Sequence, residues 1–350
     1  MRFQLSFFVI CVASLNWAVI KAMHNCQSLG KVILLIARTL AAALCCFVGA
    51  FPAFAQTLEK TRLGISDMSF TFLPHILARD GGFFRKHGLD VELIYVGGPV
   101  SISAMAAGEL DYNAAPDPGM LAAARGIPTK AVMFTTKCPP MYIIAQPALK
   151  RIEQMAGRKL GITRIGSSTY YVARQMLQKG GVDPDKITYI QVGANSARIT
   201  ALQNASLDAS VLSLPAGPQL AKAGFNQLAS PKDIGFRPHG GLMVRTAKLE
   251  QNRDQVRRMI AALMETMDQI ASQRTKVVEY LNAKWNMNRD LADQLLLNDF
   301  IPLLTMDGRM TTEAVQDYLD QAFQTNQIPN RAKANQVMDL SLVEQAPHRR

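Results

Sequence analysis

The chemistry this chain can offer sits in short runs of small polar residues. Five such runs follow segments that read as strands: Asp67-Met68-Ser69-Phe70, Gly97-Gly98, Asp117-Pro118, Gly166-Ser167-Ser168-Thr169 and Gly193-Ala194-Asn195-Ser196. Open α/β sheets bind ligands outside the carboxyl ends of their strands, where helices begin. The Gly166–Thr169 run is the sharpest of these, because it follows a strand and opens a helix. Free backbone N–H groups and the helix dipole favour an anion there, and three hydroxyls add donors. Ordinary helix capping explains one Ser or Thr. Three in a row after a glycine point to contact with a carboxylate, a sulfonate or a small oxyanion. Arg164 could add charge, although an arginine near a strand end also serves as a solvated residue. Phe70, Phe72, Tyr142, Tyr170 and Tyr171 lie near these loops and either close over a ligand or pack the core. The candidate ligand contacts are therefore Asp67, Met68, Ser69, Phe70, Gly97, Gly98, Asp117, Pro118, Thr136, Tyr142, Ser167, Ser168, Thr169, Asn195, Ser196 and Pro215.

Covalent catalysis has little to work with. His75, His87 and His239 are the plausible catalytic histidines, since His348 lies in the tail. None has a Ser or Cys partner at a recognisable spacing. The chain carries no G-x-S-x-G, H-E-x-x-H, Walker or G-x-G-x-x-G motif. Cys138 precedes two prolines and reads as a small hydrophobe. The expectation is a protein that is not an enzyme and uses neither cofactor nor metal.

Composition agrees with a binding role. Of 350 residues 49% are apolar and 19% charged, enough for a sizeable core and too ordered a balance for wholesale disorder. The length suits two lobes. The net charge is +11, but residues 1–55 hold Arg2, Lys21, Lys31 and Arg38 and no acid, which leaves +7 on the remainder. Those bases are scattered, so no nucleic-acid surface is expected.

The first 55 residues read as a targeting segment. A basic flank, the apolar run Thr39–Phe51 and the small residues Ala53 and Ala55 around Phe54 make a secretory signal cleaved after Ala55. Arg38 interrupts the run, which falls short of the roughly 18 apolar residues a membrane span needs. A second apolar stretch at 5–20 leaves two readings, a start at Met23 or a true anchor. Cys45 and Cys46 lack the Leu–small–small order of a lipidation site. Cys11, Cys26, Cys45 and Cys46 all lie in this segment, so Cys138 is left alone and cannot form an internal disulfide.

Beyond it, strands and helices alternate, which predicts α/β architecture. Strands are expected at 62–66, 89–96, 110–114 and 130–135, and in a second set at 141–145, 158–163, 187–192, 209–214 and 227–229. Helices are expected between them, including 168–178 and 196–203. From Lys248 the pattern is helical, with Val256, Met259, Ile260, Leu263, Met267 and Ile270 at helical spacing and a capping signal at Thr311. These helices should pack on the first lobe. Lobe I is expected to comprise 56–138 plus 245–330, lobe II 139–244, and 331–350 a loose polar tail.

Three segments carry a resemblance: Gly82-Phe-Phe-Arg-Lys-His-Gly-Leu-Asp-Val-Glu-Leu93, Met105-Ala-Ala-Gly-Glu-Leu-Asp-Tyr112 and Ala123-Ala-Arg-Gly-Ile-Pro128. They look like the first lobe of periplasmic substrate-binding proteins that serve ABC importers for nitrate, sulfonates, taurine and thiamine-pyrimidine precursors. Met155–Ile162, Gly166–Thr169 and Leu202–Ala209 match the second lobe in order, and the likeness covers most of 60–325. It implies a periplasmic binding protein type II-like fold, with two α/β lobes joined by crossovers near 139–145 and 235–244. A small-molecule ligand would sit in the cleft, with hinge closure over it. The implied partner is a membrane permease of an ABC importer, and the protein would act as a periplasmic monomer. The hydroxyl-rich helix start favours a small organic anion. Two alternatives stay open: pyrimidine-precursor binding or synthesis on the same fold, and a tethered sensor or receptor domain.

Overall fold

The computed structural model describes residues 57–97 and 99–345. The signal-peptide, anchor and Met23 readings and Gly98 lie outside the described residues.

Among the described residues ten strands form two five-stranded sheets. They are β1 (Glu59–Ile65), β2 (Leu89–Tyr95), β3 (Tyr112–Asn113), β4 (Thr129–Phe134), β5 (Met141–Ala145), β6 (Lys159–Ile162), β7 (Thr188–Gln191), β8 (Ala209–Ser213), β9 (Asn226–Ala229) and β10 (Gly241–Arg245). The first sheet runs β2-β1-β3-β10-β4 and the second β7-β6-β8-β5-β9. In each, four strands run in one direction and the fourth in the order, β10 or β5, is antiparallel to both of its neighbours. The chain passes from sheet to sheet after β4 and again before β10. This is a two-lobed α/β fold, as the strand–helix alternation predicts.

The two lobes share a local solution as well as an order. Strands β1 and β6 end in Leu-Gly-Ile, at Leu63–Ile65 and Leu160–Ile162. A Cβ on Gly64 would stand 2.9 Å from the Leu110 side chain, and one on Gly161 2.4 Å from that of Leu207. Leucines 110 and 207 precede β3 and β8. Glycine thus lets these leucines seal the sheet beside the strand from which the next loop departs.

The helix Arg253–Ser272 buries Val256, Met259, Ile260, Leu263, Met267 and Ile270 completely, on the face its periodicity marks. It packs on helix Leu73–Asp80 of the first lobe. The expected single helix from 248 divides at Asn252, whose side chain accepts a hydrogen bond from the Gln255 N–H and caps the second piece. Thr311 caps the helix Thr312–Gln324 through the Ala314 N–H at 3.2 Å.

Two boundaries differ from the sequence reading. Gly241–Arg245 is a strand of the first sheet rather than the end of the second lobe. Within the stretch read as a loose tail, Ala332, Ala334, Val337, Leu342 and Val343 are buried, and Met338 bridges to Ala131. These apolar residues are too sparse to show a period, yet each covers the first lobe's core.

Candidate functional site

The carboxyl ends of β1, β3, β6 and β8 converge on a cavity of about 50 Å³. By comparison a single water needs about 10–15 Å³, so there is room for a few non-hydrogen atoms. One wall comes from the first sheet's side: Ser66, Asp67, Ser69, Thr71 and Phe72 after β1, Ala115 and Pro118 after β3, and His239 before β10. The other comes from the second: Met141, Thr163, Ser167, Ser168, Thr169, Arg198 and Ser213. The lobes touch beside it, where the Phe70 N–H donates to the Leu214 carbonyl at 3.1 Å and the Tyr142 hydroxyl to Asp299 Oδ1 at 3.2 Å.

The second wall is rich in donors. Ser167 occupies the N-cap position of the twelve-residue helix Ser168–Lys179 without a side-chain bond to the helix N–H groups. Its Oγ donates to the Arg164 carbonyl at 2.7 Å, so the 2.9 Å bond to Thr169 Oγ1 must use the threonine's proton. Thr169 Oγ1 in turn accepts the Thr163 N–H at 2.9 Å. Two of the three hydroxyls are therefore spent in building the loop. The Ser168 hydroxyl and the first N–H groups of the helix remain for a ligand.

Arg198 completes this wall from inside helix Asn195–Gln203. Its side chain is 1% exposed. Nε donates to the Val211 carbonyl at 3.0 Å, Nη1 to Thr163 Oγ1 at 2.8 Å and to the Gly193 carbonyl, and Nη2 to Asn195 Oδ1 at 3.1 Å. Five donors less these four leave one N–H. Among the described residues Arg198 makes no salt bridge. Burial pulls its pKa down to about 10, with the charge of Asp67 opposing, so it stays cationic at neutral pH. Asn195 Oδ1 also accepts from the Ser213 N–H at 3.4 Å, which ties the guanidinium to the end of β8.

The first wall presents unpaired polar atoms. Asp67 Oδ1, Ser69 Oγ, Thr71 Oγ1 and His239 Nε2 are buried and meet no protein partner. Burial raises the Asp67 pKa, while the Ser69 hydroxyl, near the carboxylate but outside good hydrogen-bond geometry, and the charges of Arg198 and His239 work against the rise. Behind this wall His239 Nδ1 lies 3.3 Å from Asp117 Oδ2, both side chains 2% exposed. Native proteins satisfy most buried polar atoms, so such a concentration of unpaired atoms makes this cavity the candidate site. Among the described residues no three His, Cys, Asp or Glu side chains are grouped to hold a metal.

Of the sequence candidates, Asp67, Ser69, Pro118, Ser167, Ser168 and Thr169 line the cavity. Asp117 and Asn195 sit one layer back, holding His239 and Arg198. The rest lie elsewhere. Met68 is exposed, with the Tyr95 hydroxyl on its sulfur. Phe70 packs edge-on against Trp285 and Phe300. Tyr142 is turned to Asp299, and Thr136 Oγ1 accepts the Gly240 N–H at 3.1 Å. Gly97, Ser196 and Pro215 do not face the cavity, nor does Arg164. The reading missed Ser66, Thr71, Ala115, Met141, Thr163, Arg198 and Ser213, and weighed His239 as a catalytic residue and Phe72 as core. Thr163 and Ser213 could have been found, since each sits at a strand's carboxyl end. Arg198 carries no local signal, because it lies three residues inside a helix.

Known proteins share this fold. The family model described as "NMT1/THI5 like" matches residues 69–275. A Brucella abortus protein named as a candidate binding protein is 27% identical over 199 residues, covering 55% of this chain and 61% of its own length. The alkanesulfonate-binding protein SsuA from Xanthomonas axonopodis pv. citri, solved bound to MOPS, superposes with a TM-score of 0.70. It is 16% identical, with 80% of this chain and 98% of that one covered. The periplasmic nitrate-binding protein NrtA from Synechocystis gives 0.68 at 15% identity, covering 82% and 88%. Those likenesses establish the periplasmic binding protein fold, and the family match covers more than half of the sequence. The chain belongs to the NMT1/THI5-like family of binding-protein folds.

Proposed function

We propose that the protein is an extracytoplasmic solute-binding protein. It captures a small organic oxyanion, sulfonate- or carboxylate-like, between its lobes and delivers it to the membrane permease of an ABC importer. One observation carries the ligand class: the free helix start at Ser168 faces the same cavity as the buried Arg198, which has no carboxylate at salt-bridge distance. An oxyanion there accepts charge-assisted hydrogen bonds from both. The small cavity supports a compact ligand over a pyrimidine ring. Export is supported by the apolar N-terminal segment with its Ala53-Phe54-Ala55 ending. Delivery to an importer is supported by the fold shared with the sulfonate- and nitrate-binding proteins.

Calorimetric titration of the purified protein with nitrate, sulfate, short sulfonates, short carboxylates and a pyrimidine tests this. The expected result is saturable binding by at least one compound bearing an oxyanion. Binding confined to compounds without one would overturn the ligand class.

A further inference from the structure

The first wall holds two acceptors where an oxyanion would bring more. Asp67 Oδ1 is buried and meets no protein donor, and His239 Nε2 is buried and equally unpartnered. The Asp117 carboxylate only accepts, so the proton between it and His239 Nδ1, 3.3 Å apart, belongs to the ring. A neutral His239 then presents the Nε2 lone pair to the cavity. The Ser69 and Thr71 hydroxyls nearby are 1% exposed and bond to neither atom.

Few residues set the charge around these atoms. Arg198 faces Asp67 from the second wall. Asp117 holds His239 from the first turn of helix Pro116–Ala124. Tyr318 donates its hydroxyl to the Asp117 carbonyl at 2.9 Å, and Arg237 lies over its ring at 4.6 Å. His75, beside Phe72, is turned to the Gly241 carbonyl, and burial keeps it neutral. With His239 neutral, two carboxylates are matched by two guanidiniums. A monoanion adds a charge that nothing here balances, in a cavity of about 50 Å³ where water screens little. One proton restores the balance. On Asp67 it makes an O–H donor and on His239 Nε2 an N–H donor, so in either place an orphaned acceptor becomes a partner for the guest. We infer that the oxyanion binds together with one proton, held by the Asp67–His239 pair. Burial already favours the protonated form of Asp67, and a second anion beside it pushes the same way. Because the bound state carries the extra proton, affinity rises as pH falls, by at most about tenfold per unit. This rests on the function proposed above and adds a second, obligatory guest to it.

Titration in a pH-stat tests it, in unbuffered potassium chloride so that no buffer oxyanion competes. The probes are nitrate, ethanesulfonate and propanoate, none of which takes up a proton itself at neutral pH. For those that bind, saturating the wild-type protein at about pH 7.5 is expected to take up about one proton per chain. Affinity is expected to fall by about three- to tenfold per unit between about pH 7 and about pH 8.5. That range lies above the unfolded-state histidine pKa of about 6.5, so folding does not enter the measurement. Asp67→Asn and His239→Gln follow, and at least one is expected to cut the uptake to below about half a proton and to flatten the pH dependence. The wild-type measurement needs no substitution, so poor folding of a variant cannot mask the answer. Binding without proton uptake overturns the inference and leaves oxyanion binding standing. Unchanged uptake in both folded variants overturns the placement of the proton on this pair. Binding of none of the three probes overturns the inference together with the reading on which it rests.

Discussion

Replacing Arg198 with methionine is expected to abolish oxyanion binding, with a loss of at least about 100-fold, or about 3 kcal/mol. The guanidinium is the cation among the cavity's lining residues, and it is presented dry, so its bond to an oxyanion is made without competition from bulk water. The same substitution should lower stability by about 3 kcal/mol. It takes a donor away from the Val211 and Gly193 carbonyls, Thr163 Oγ1 and Asn195 Oδ1 together. Arg198→Lys separates the two effects. It keeps the charge, but an ammonium on a flexible stem cannot reproduce the planar fork that reaches four acceptors. Its affinity should fall by about tenfold or more, with a smaller loss in thermal midpoint than methionine causes. Titration and thermal melts on both variants check this. Unchanged affinity in both would remove Arg198 from the site.

Acid should unfold this protein early, through a histidine away from the ligand. His75 is fully buried, its Nε2 donates to the Gly241 carbonyl at 2.7 Å, and Nδ1 has no partner. Burial holds its pKa down at about 4, against the favourable pull of the Gly241 bond. In the unfolded chain the ring protonates near pH 6.5. Between those values the unfolded state binds the extra proton, so stability is fully present above about pH 6.5 and drains as pH falls toward 4. The slope is about 1.4 kcal/mol per pH unit and the total about 3 kcal/mol. His75→Gln keeps an N–H for Gly241 and does not titrate, so its stability should be nearly flat across that window. Urea melts at several pH values compare the two. An equal slope in wild type and variant would assign the acid sensitivity to other groups.

Much of the scaffold was legible because it rests on periodic burial. The alternation of strands and helices and the buried face of Arg253–Ser272 need only the positions of apolar residues. The helix start at Ser167–Thr169 was legible because capping chemistry is local. What the residues alone could not show is how protons are shared within that loop. Ser167 and Thr169 look like ligand donors in sequence but spend their hydroxyls on Arg164, on each other and on Thr163. Arg198 was hidden for a different reason. It reads as a surface residue in a polar helix, and its burial follows from the long-range approach of Val211 and Thr163. Phe70 and Tyr142 border the cleft in sequence, but the helices after Arg274 supply Trp285, Asp299 and Phe300 and draw both rings away. Those partners lie more than 150 residues away along the chain, beyond the reach of any local pattern.

A crystal structure of the protein grown with its tightest-binding oxyanion tests the central claim most directly. The account predicts the oxyanion between the two sheets, with its oxygens within hydrogen-bonding distance of the Ser168 backbone N–H and of Arg198. A ligand bound on an outer face, or in the cleft with its oxyanion turned away from both groups, would contradict it.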